Sequence, residues 1–219
     1  MKPNNHPTNC WLSFERLRAF SLLAILLGLA LSGTGCSTIQ KVDFKPGAEP
    51  VQKHPVRVAL VLENSFCKFE HHRDPEGYVY PLGVFLCPCA RHLANAAFAK
   101  TTEYDSFEAA WKSPDADAVL TPRVVKIEIR ARGIAWEKRH TLVVVEWALK
   151  NLKDQKTIWL ATVEGRAEGS VGTMFSMDRN DRIAMQQAMD NVYHRSVEAF
   201  NQSEEINAFA GRLSGGANN

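Results

Sequence analysis

Three successive stretches in the second half of the chain alternate apolar and polar residues with a period of two. Over residues 118–132, Val119, Thr121, Val125, Ile127 and Ile129 stand against Lys126, Glu128 and Arg130. Residues 140–152 place Val143, Val145, Trp147 and Leu149 on one face, and residues 157–167 do the same with Trp159, Ala161 and Val163. This period marks strands buried on one side. Lys153, Asp154 and Gln155 leave room only for a hairpin turn between the second and third. Long strands with short connections pair antiparallel, and their apolar face requires a cover of helices.

The covering helices flank the strands in the sequence. Residues 82–100 carry Leu82, Phe85, Leu86, Cys89, Leu93, Ala96 and Ala97 at helical spacing. Pro88 has no N–H to donate, so this helix either begins near Pro81 and bends at Pro88 or takes Pro88 as its first residue. Residues 180–202 show a second apolar side: Ile183, Met185, Met189, Val192, Ser196, Val197 and Phe200. Asp105, Ser106, Phe107 and Glu108 read as the capped start of a short helix ending near Trp111. Residues 56–62, rich in Val and Leu, predict a first strand. The order β-α-β-β-β-α predicts an α+β fold: a four-stranded mixed sheet with two helices packed on one face.

The N-terminus is an address. Lys2, Arg16 and Arg18 precede a 13-residue apolar run over residues 19–31, too short to cross a bilayer as a helix. Ser32, Gly33, Thr34 and Gly35 follow, and then Cys36. That order resembles a bacterial lipoprotein signal, in which the cysteine after small residues is acylated with palmitate-type chains and becomes the new N-terminus. Gly35 and Cys36 match the pattern; Gly33 departs from it, since Leu is preferred there. The resemblance implies that Ser37, not being Asp, sends the protein to the periplasmic face of the outer membrane. The alternative is ordinary secretory cleavage near residues 32–35, with Cys36 left as a free thiol.

Removing residues 1–35 takes away Lys2, Arg16, Arg18 and Glu15. The mature chain then holds 23 basic and 23 acidic residues, against 26 and 24 in the whole chain. A formally neutral protein has no general attraction for nucleic acid, and membrane attachment would come from the lipid. The expected organisation is a signal peptide over 1–35, a lipidated flexible tether over 36–55, one α+β domain over 56–203, and a short helix with a disordered tail over 204–219. Pro46, Gly47, Pro50 and Pro55 among charged residues motivate the tether. Lipidated cysteine, spacer and element order together resemble small periplasmic lipoproteins of the lipopolysaccharide-assembly (LptE-like) and transport-auxiliary kind. The resemblance covers signal motif and architecture and carries no functional residue with it.

Candidate chemistry is sparse. Cys10 leaves with the signal and Cys36 takes lipid, which leaves Cys67, Cys87 and Cys89 in an oxidising compartment. The reading pairs Cys67 with Cys87, with Cys89 as the alternative partner, because Cys89 falls on the buried stripe of the first helix. A redox site is the competing reading, but the spacing is C-x-C where thioredoxin-like sites use C-x-x-C. Cys67, His71, His72, Cys87, Cys89 and His92 are metal-ligand types without a zinc spacing, so no metal is assigned and no cofactor is expected. Glu63 and Glu70 flank the first long loop. Glu146 and Glu164 sit mid-strand, where pairing with Lys150, Arg166 or Arg130 on a wet sheet face is the simpler role. No catalytic or phosphate-binding motif is present. Two long loops, over residues 63–80 and 169–179, hold Phe66, Phe69, Tyr78, Tyr80, Met174, Phe175 and Met177. These form a partner surface or fold back as a lid on the core. Trp136 stands in a charged loop of its own.

The expectation is a non-enzymatic, lipid-anchored binding or accessory module of an envelope assembly or transport complex, with an unidentified envelope protein as partner. A thiol- or metal-dependent protein built on the three cysteines and nearby histidines is the alternative. A lipid carrier with a cavity between sheet and helices is the second.

Overall fold

The computed structural model describes residues 38–47, 49–73, 78–131, 139–169 and 177–215. Its elements in chain order are β1 (Thr38–Ile39), β2 (His54–Val61), α1 (Asn64–Cys67), β3 (His71–Arg73), β4 (Tyr78–Tyr80), α2 (Gly83–Ala97), β5 (Phe98–Tyr104), α3 (Phe107–Trp111), β6 (Ala118–Ala131), β7 (Arg139–Asn151), β8 (Thr157–Gly169), α4 (Met177–Asn201) and α5 (Glu204–Gly215).

The main sheet has five strands in the order β5-β2-β6-β7-β8, and a small sheet has the order β1-β4-β3. β2 runs parallel to both β5 and β6, while β6, β7 and β8 form the expected antiparallel meander. The class is α+β, but the four-stranded sheet with two helices is corrected to five strands and more helices. β5 escapes a sequence reading because it follows α2 without a linker and buries only Phe98 at its start. The small-sheet strands are two or three residues long, too short to show a period.

The core lies between one face of the main sheet and a layer made of α2, α4 and α5. Val56, Val58 and Leu60 of β2, Val143, Val145, Trp147 and Leu149 of β7, and Trp159 and Val163 of β8 point into it. Phe200 of α4 meets Trp147 and Trp159 at ring separations of 5.3 and 4.9 Å. The Trp147 indole N–H donates to Ser196 Oγ at 3.0 Å, and Ser196 in turn donates to the Val192 carbonyl at 2.7 Å. That bond explains a serine on an otherwise apolar helix side, since a buried indole N–H needs an acceptor. α4 approaches β8 closely because position 165 is glycine: a Cβ there would lie 1.8 Å from the Ala188 carbonyl oxygen. A smaller cluster, Ala59, Val61, Ala110 and Val119 with Phe107 and Trp111, shows α3 covering the opposite face at β2 and β6.

β6 changes faces midway. Val124 opposes Val145, but Lys126 opposes Val144, so Val125 is an extra residue in a bulge. Ala118, Leu120, Val124, Ile127 and Ile129 therefore pack on the helix side, while Val119 faces α3 and Val125 is exposed. The single face predicted for Val119, Thr121, Val125, Ile127 and Ile129 is corrected accordingly. α2 contains Pro88 in its interior. The Val84 carbonyl four residues earlier loses its partner at an exposed position where water can supply one.

The flexible tether is also corrected. Residues 39–45 alternate, with Gln40 and Val42 buried and Ile39, Lys41 and Lys45 exposed. Val42 is part of the core, and the Phe44 ring meets Phe85 and Tyr193. The Asp43 backbone exchanges two hydrogen bonds with the Gln186 amide, and Asn201 donates to the Pro50 carbonyl. The segment is a strap bound along α4. Its cue, three inward side chains, is hidden among prolines and charges, and its partners lie roughly 150 residues away (143 and 151 for the bonds named). At the C-terminus α5 buries Ile206, Phe209 and Ala210, and it extends to Gly215, past residue 211, where the sequence shows no period.

Candidate functional site

Among the described residues, the helices that reach the outer face of β6, β7 and β8 are α3, over Val119, and α1, whose Phe66 borders it beside Thr121 and Pro122. The strand register sets its composition. Arg123 lies beside Glu146 and Thr162, Lys126 beside Val144 and Glu164, Glu128 beside Leu142 and Arg166, and Arg130 beside His140 and Glu168. Positive and negative groups interleave in space. Arg123 reaches Glu146 at 2.9 Å, Lys126 reaches Glu128 at 2.6 Å, Arg130 reaches the same carboxylate at 3.1 Å, and Arg166 reaches Glu164 at 2.5 Å. Lys126 and Arg130 hold the Glu128 carboxyl below its ordinary range through hydrogen bonds and charge. These carboxylates are neutralised by neighbouring cations, and no two of them share a site in the manner of an acid-base pair.

Two shallow concavities lie on this face. One, of about 380 Å³, is floored by Thr121, Ala148 and Leu160 and walled by Glu63, Phe66, Phe107 and Lys150. The other, of about 650 Å³, lies toward the far ends of the strands among Lys126, Glu128, Arg130, His140, Leu142 and Arg166. Val125 and Leu160 leave 49% and 57% of their surface to solvent here. Isolated apolar groups within a neutral charge ladder suit a wide, polar contact better than a small-molecule pocket. Of the pairs expected for the mid-strand acids, Glu164 takes Arg166. Glu146 takes Arg123, and Lys150 instead places its ammonium 5.5 Å over the Phe107 ring.

The cysteines form a different kind of site. Cys67 and Cys87 are joined, with Cα atoms 4.9 Å apart and 20 residues between them in sequence. The bond ties α1 to α2, reinforced by the Gly83 N–H donating to the Phe69 carbonyl at 2.9 Å. Gly83 is required there, because a Cβ would stand 2.1 Å from the Cys67 carbonyl oxygen. Cys89 is the remaining thiol among the described residues; it is buried, and burial pushes its pKa up. A protonated, enclosed thiol is a poor nucleophile. Among the described residues no three His, Cys, Asp or Glu side chains gather as a metal site. His92 stacks beside Phe44 and Tyr193, while His71 and His72 stand on β3.

The predicted partner loops behave differently. Tyr80 is fully buried, Phe66 is nearly so, and Phe69 and Tyr78 pack against the core. The described aromatics of the first loop therefore fold back over the apolar layer, where burial of their rings is favourable. Met174, Phe175, Trp136, Cys36 and the side chain of Met177 lie outside the described residues. The charge ladder escaped attention as a site because each strand alone reads as an ordinary wet face; only the register of three strands assembles it. Between the main sheet and the helices the space is filled by Trp147, Trp159, Tyr193 and Phe200. No helix among the described residues is long and apolar enough to cross a membrane.

No protein-family model matches the chain, and no curated protein matches it. Among solved structures, a DUF330 protein from Xanthomonas campestris is similar at 12% identity and a TM-score of 0.47, covering 75% of this chain and 97% of its own. A protein described as a homolog of a neuraminyllactose-binding hemagglutinin, from Helicobacter pylori, is similar at 12% identity and a TM-score of 0.46, covering 80% and 98%. A lipoprotein from Neisseria meningitidis is similar at 15% identity and a TM-score of 0.35, covering 62% and 99%. None of these likenesses carries a functional residue onto this chain.

Proposed function

We propose that this chain is a bacterial envelope lipoprotein, anchored through Cys36 at the periplasmic face of the outer membrane, that works by binding and not by catalysis. Its partner surface is the outer face of β6, β7 and β8. The observation that supports this reading is the charge-laddered face of three long strands, left largely open by the other described residues, with Val125 and Leu160 exposed among paired ions. An envelope assembly or transport complex of the LptE-like or transport-auxiliary kind is the setting the signal and architecture suggest. The thiol reading is weakened by a disulfide that uses two of the three cysteines and by the burial of the third. The lipid-carrier reading is weakened by the packed layer between sheet and helices.

The test is a photoreactive side chain at Leu160, compared with one at exposed Arg195 on α4, in the intact envelope. A discrete adduct of one mass at Leu160 and none at Arg195 is the expected result. Equal labelling at both positions, or none at Leu160, overturns the assignment of the face.

A further inference from the structure

The strap changes where such a protein can stand. A free segment over residues 37–55 would let the domain wander a root-mean-square distance of about 25 Å from its anchor. The strap is instead bound from β1 onward: β1 pairs in parallel with β4, and the Gln40 N–H donates to the Val79 carbonyl at 2.9 Å. Cys36 is three residues before Ile39, a span of at most about 11 Å. Whatever shape those residues take, the backbone of an acylated Cys36 cannot leave the membrane interface farther than that from Ile39.

The surface at that point suits a bilayer. Ile39, at 63%, is the most exposed large apolar side chain among the described residues. Lys41, Asp43 and Lys45 are exposed along the strap, and His72 of β3, in register with Ile39 across Val79, is exposed beside Glu70. An exposed isoleucine followed along the strap by two lysines and one aspartate fits a membrane surface, where the isoleucine enters the acyl boundary and the lysine ammonium groups meet phosphate. We infer that the small sheet β1-β4-β3 rests directly on a phospholipid surface, through Ile39 and the strap lysines, so that the bilayer is the protein's fixed first contact. This rests on the anchor at Cys36. The β7–β8 turn lies away from that surface. Asp43 bonds to Gln186, two residues before the Ala188 that touches Gly165, and Thr157 is eight residues along β8 from Gly165, about 27 Å.

The test uses the full precursor, expressed with its own signal, purified from membranes and placed in vesicles of phosphatidylethanolamine and phosphatidylglycerol. A fluorophore is attached to His72→Cys or, separately, to Asp154→Cys; the bonded pair and buried Cys89 leave the new thiol as the reactive one. Headgroup nitroxide lipids are expected to quench the first label at least about threefold more than the second. A Gly-Ser stretch of about 15 residues inserted between Ser37 and Thr38 is expected to remove the difference. Equal quenching in vesicles with which the protein floats overturns the contact, and quenching unchanged by the insertion overturns the short leash. Failure to float overturns the anchor itself, and with it this inference, which separates the two kinds of failure.

Discussion

The two faces of the main sheet are built from the same strands and behave as different materials. On the inner face, Trp147 and Trp159 lock against Phe200, and glycine at 165 lets a helix carbonyl touch the strand. On the outer face, the neighbours of those residues are Glu146 and Glu164, paired with Arg123 and Arg166, and the exposed Leu160. Alternation of the pleat places the two sets one residue apart. Stability is therefore concentrated on one side, and the other side is free to serve recognition. Mutations that differ only by face should separate sharply in their effects.

The largest separation is expected between Trp147→Ala and Leu160→Ala. Removing a buried indole that touches Phe200 costs about 4 kcal/mol in urea unfolding. Removing Leu160, which leaves more than half of its surface in water, changes stability by less than about 0.5 kcal/mol. Comparable losses from both would mean the outer face is covered by something that stabilises it. Next in size is Gly165→Ala. The new methyl would have to displace the α4 backbone, because its neighbour is a carbonyl and not a flexible side-chain tip. A loss of about 3 kcal/mol is expected. Ser196→Ala follows, at about 1.5 kcal/mol, because the Trp147 N–H is left buried without an acceptor; the double variant Trp147→Phe with Ser196→Ala should recover part of that loss relative to the sum of the single changes.

This asymmetry was partly legible in the sequence. The meander, both long helices and the inward set of β7 follow from periodicity alone, since each segment is longer than two periods of its own pattern. Three features broke the reading for identifiable reasons. The bulge at Val125 shifts the phase of β6 by one residue, and an unbroken period assigns its first half to the wrong face. The strap docks through Gln40, Val42 and Phe44 onto partners in α4 and β4, so no local window contains the interaction. β5 is an edge strand whose middle is exposed, and it lacks an apolar run. The candidate site shares the last difficulty. Its content is a register among three strands, with Arg123 opposite Glu146, and Lys126 and Glu164 on either side of Val144, and register is a property of pairing that no single strand displays.

The smallest expected effect concerns acid. Arg57, on the outer row of β2, donates to Asp117 through its backbone N–H at 2.9 Å and through its guanidinium at 2.6 Å. Partial burial of Asp117 opposes its charge, but the bonds and charge of Arg57 outweigh it, and the carboxyl titrates below its ordinary value. A carboxyl whose pKa is depressed on folding stabilises the native state fully above the unfolded value. It loses that contribution as pH falls through the native one. The window therefore lies below about pH 4. Because Arg57 is half exposed, solvent screens the pair and the slope should be shallow. Asp117→Asn should flatten the wild-type decline in stability between about pH 4 and pH 2 and leave Trp147→Ala as damaging as before. If the decline is unchanged in Asp117→Asn, the outer-face pair is too well hydrated to contribute, and the contrast between the two faces is sharper still.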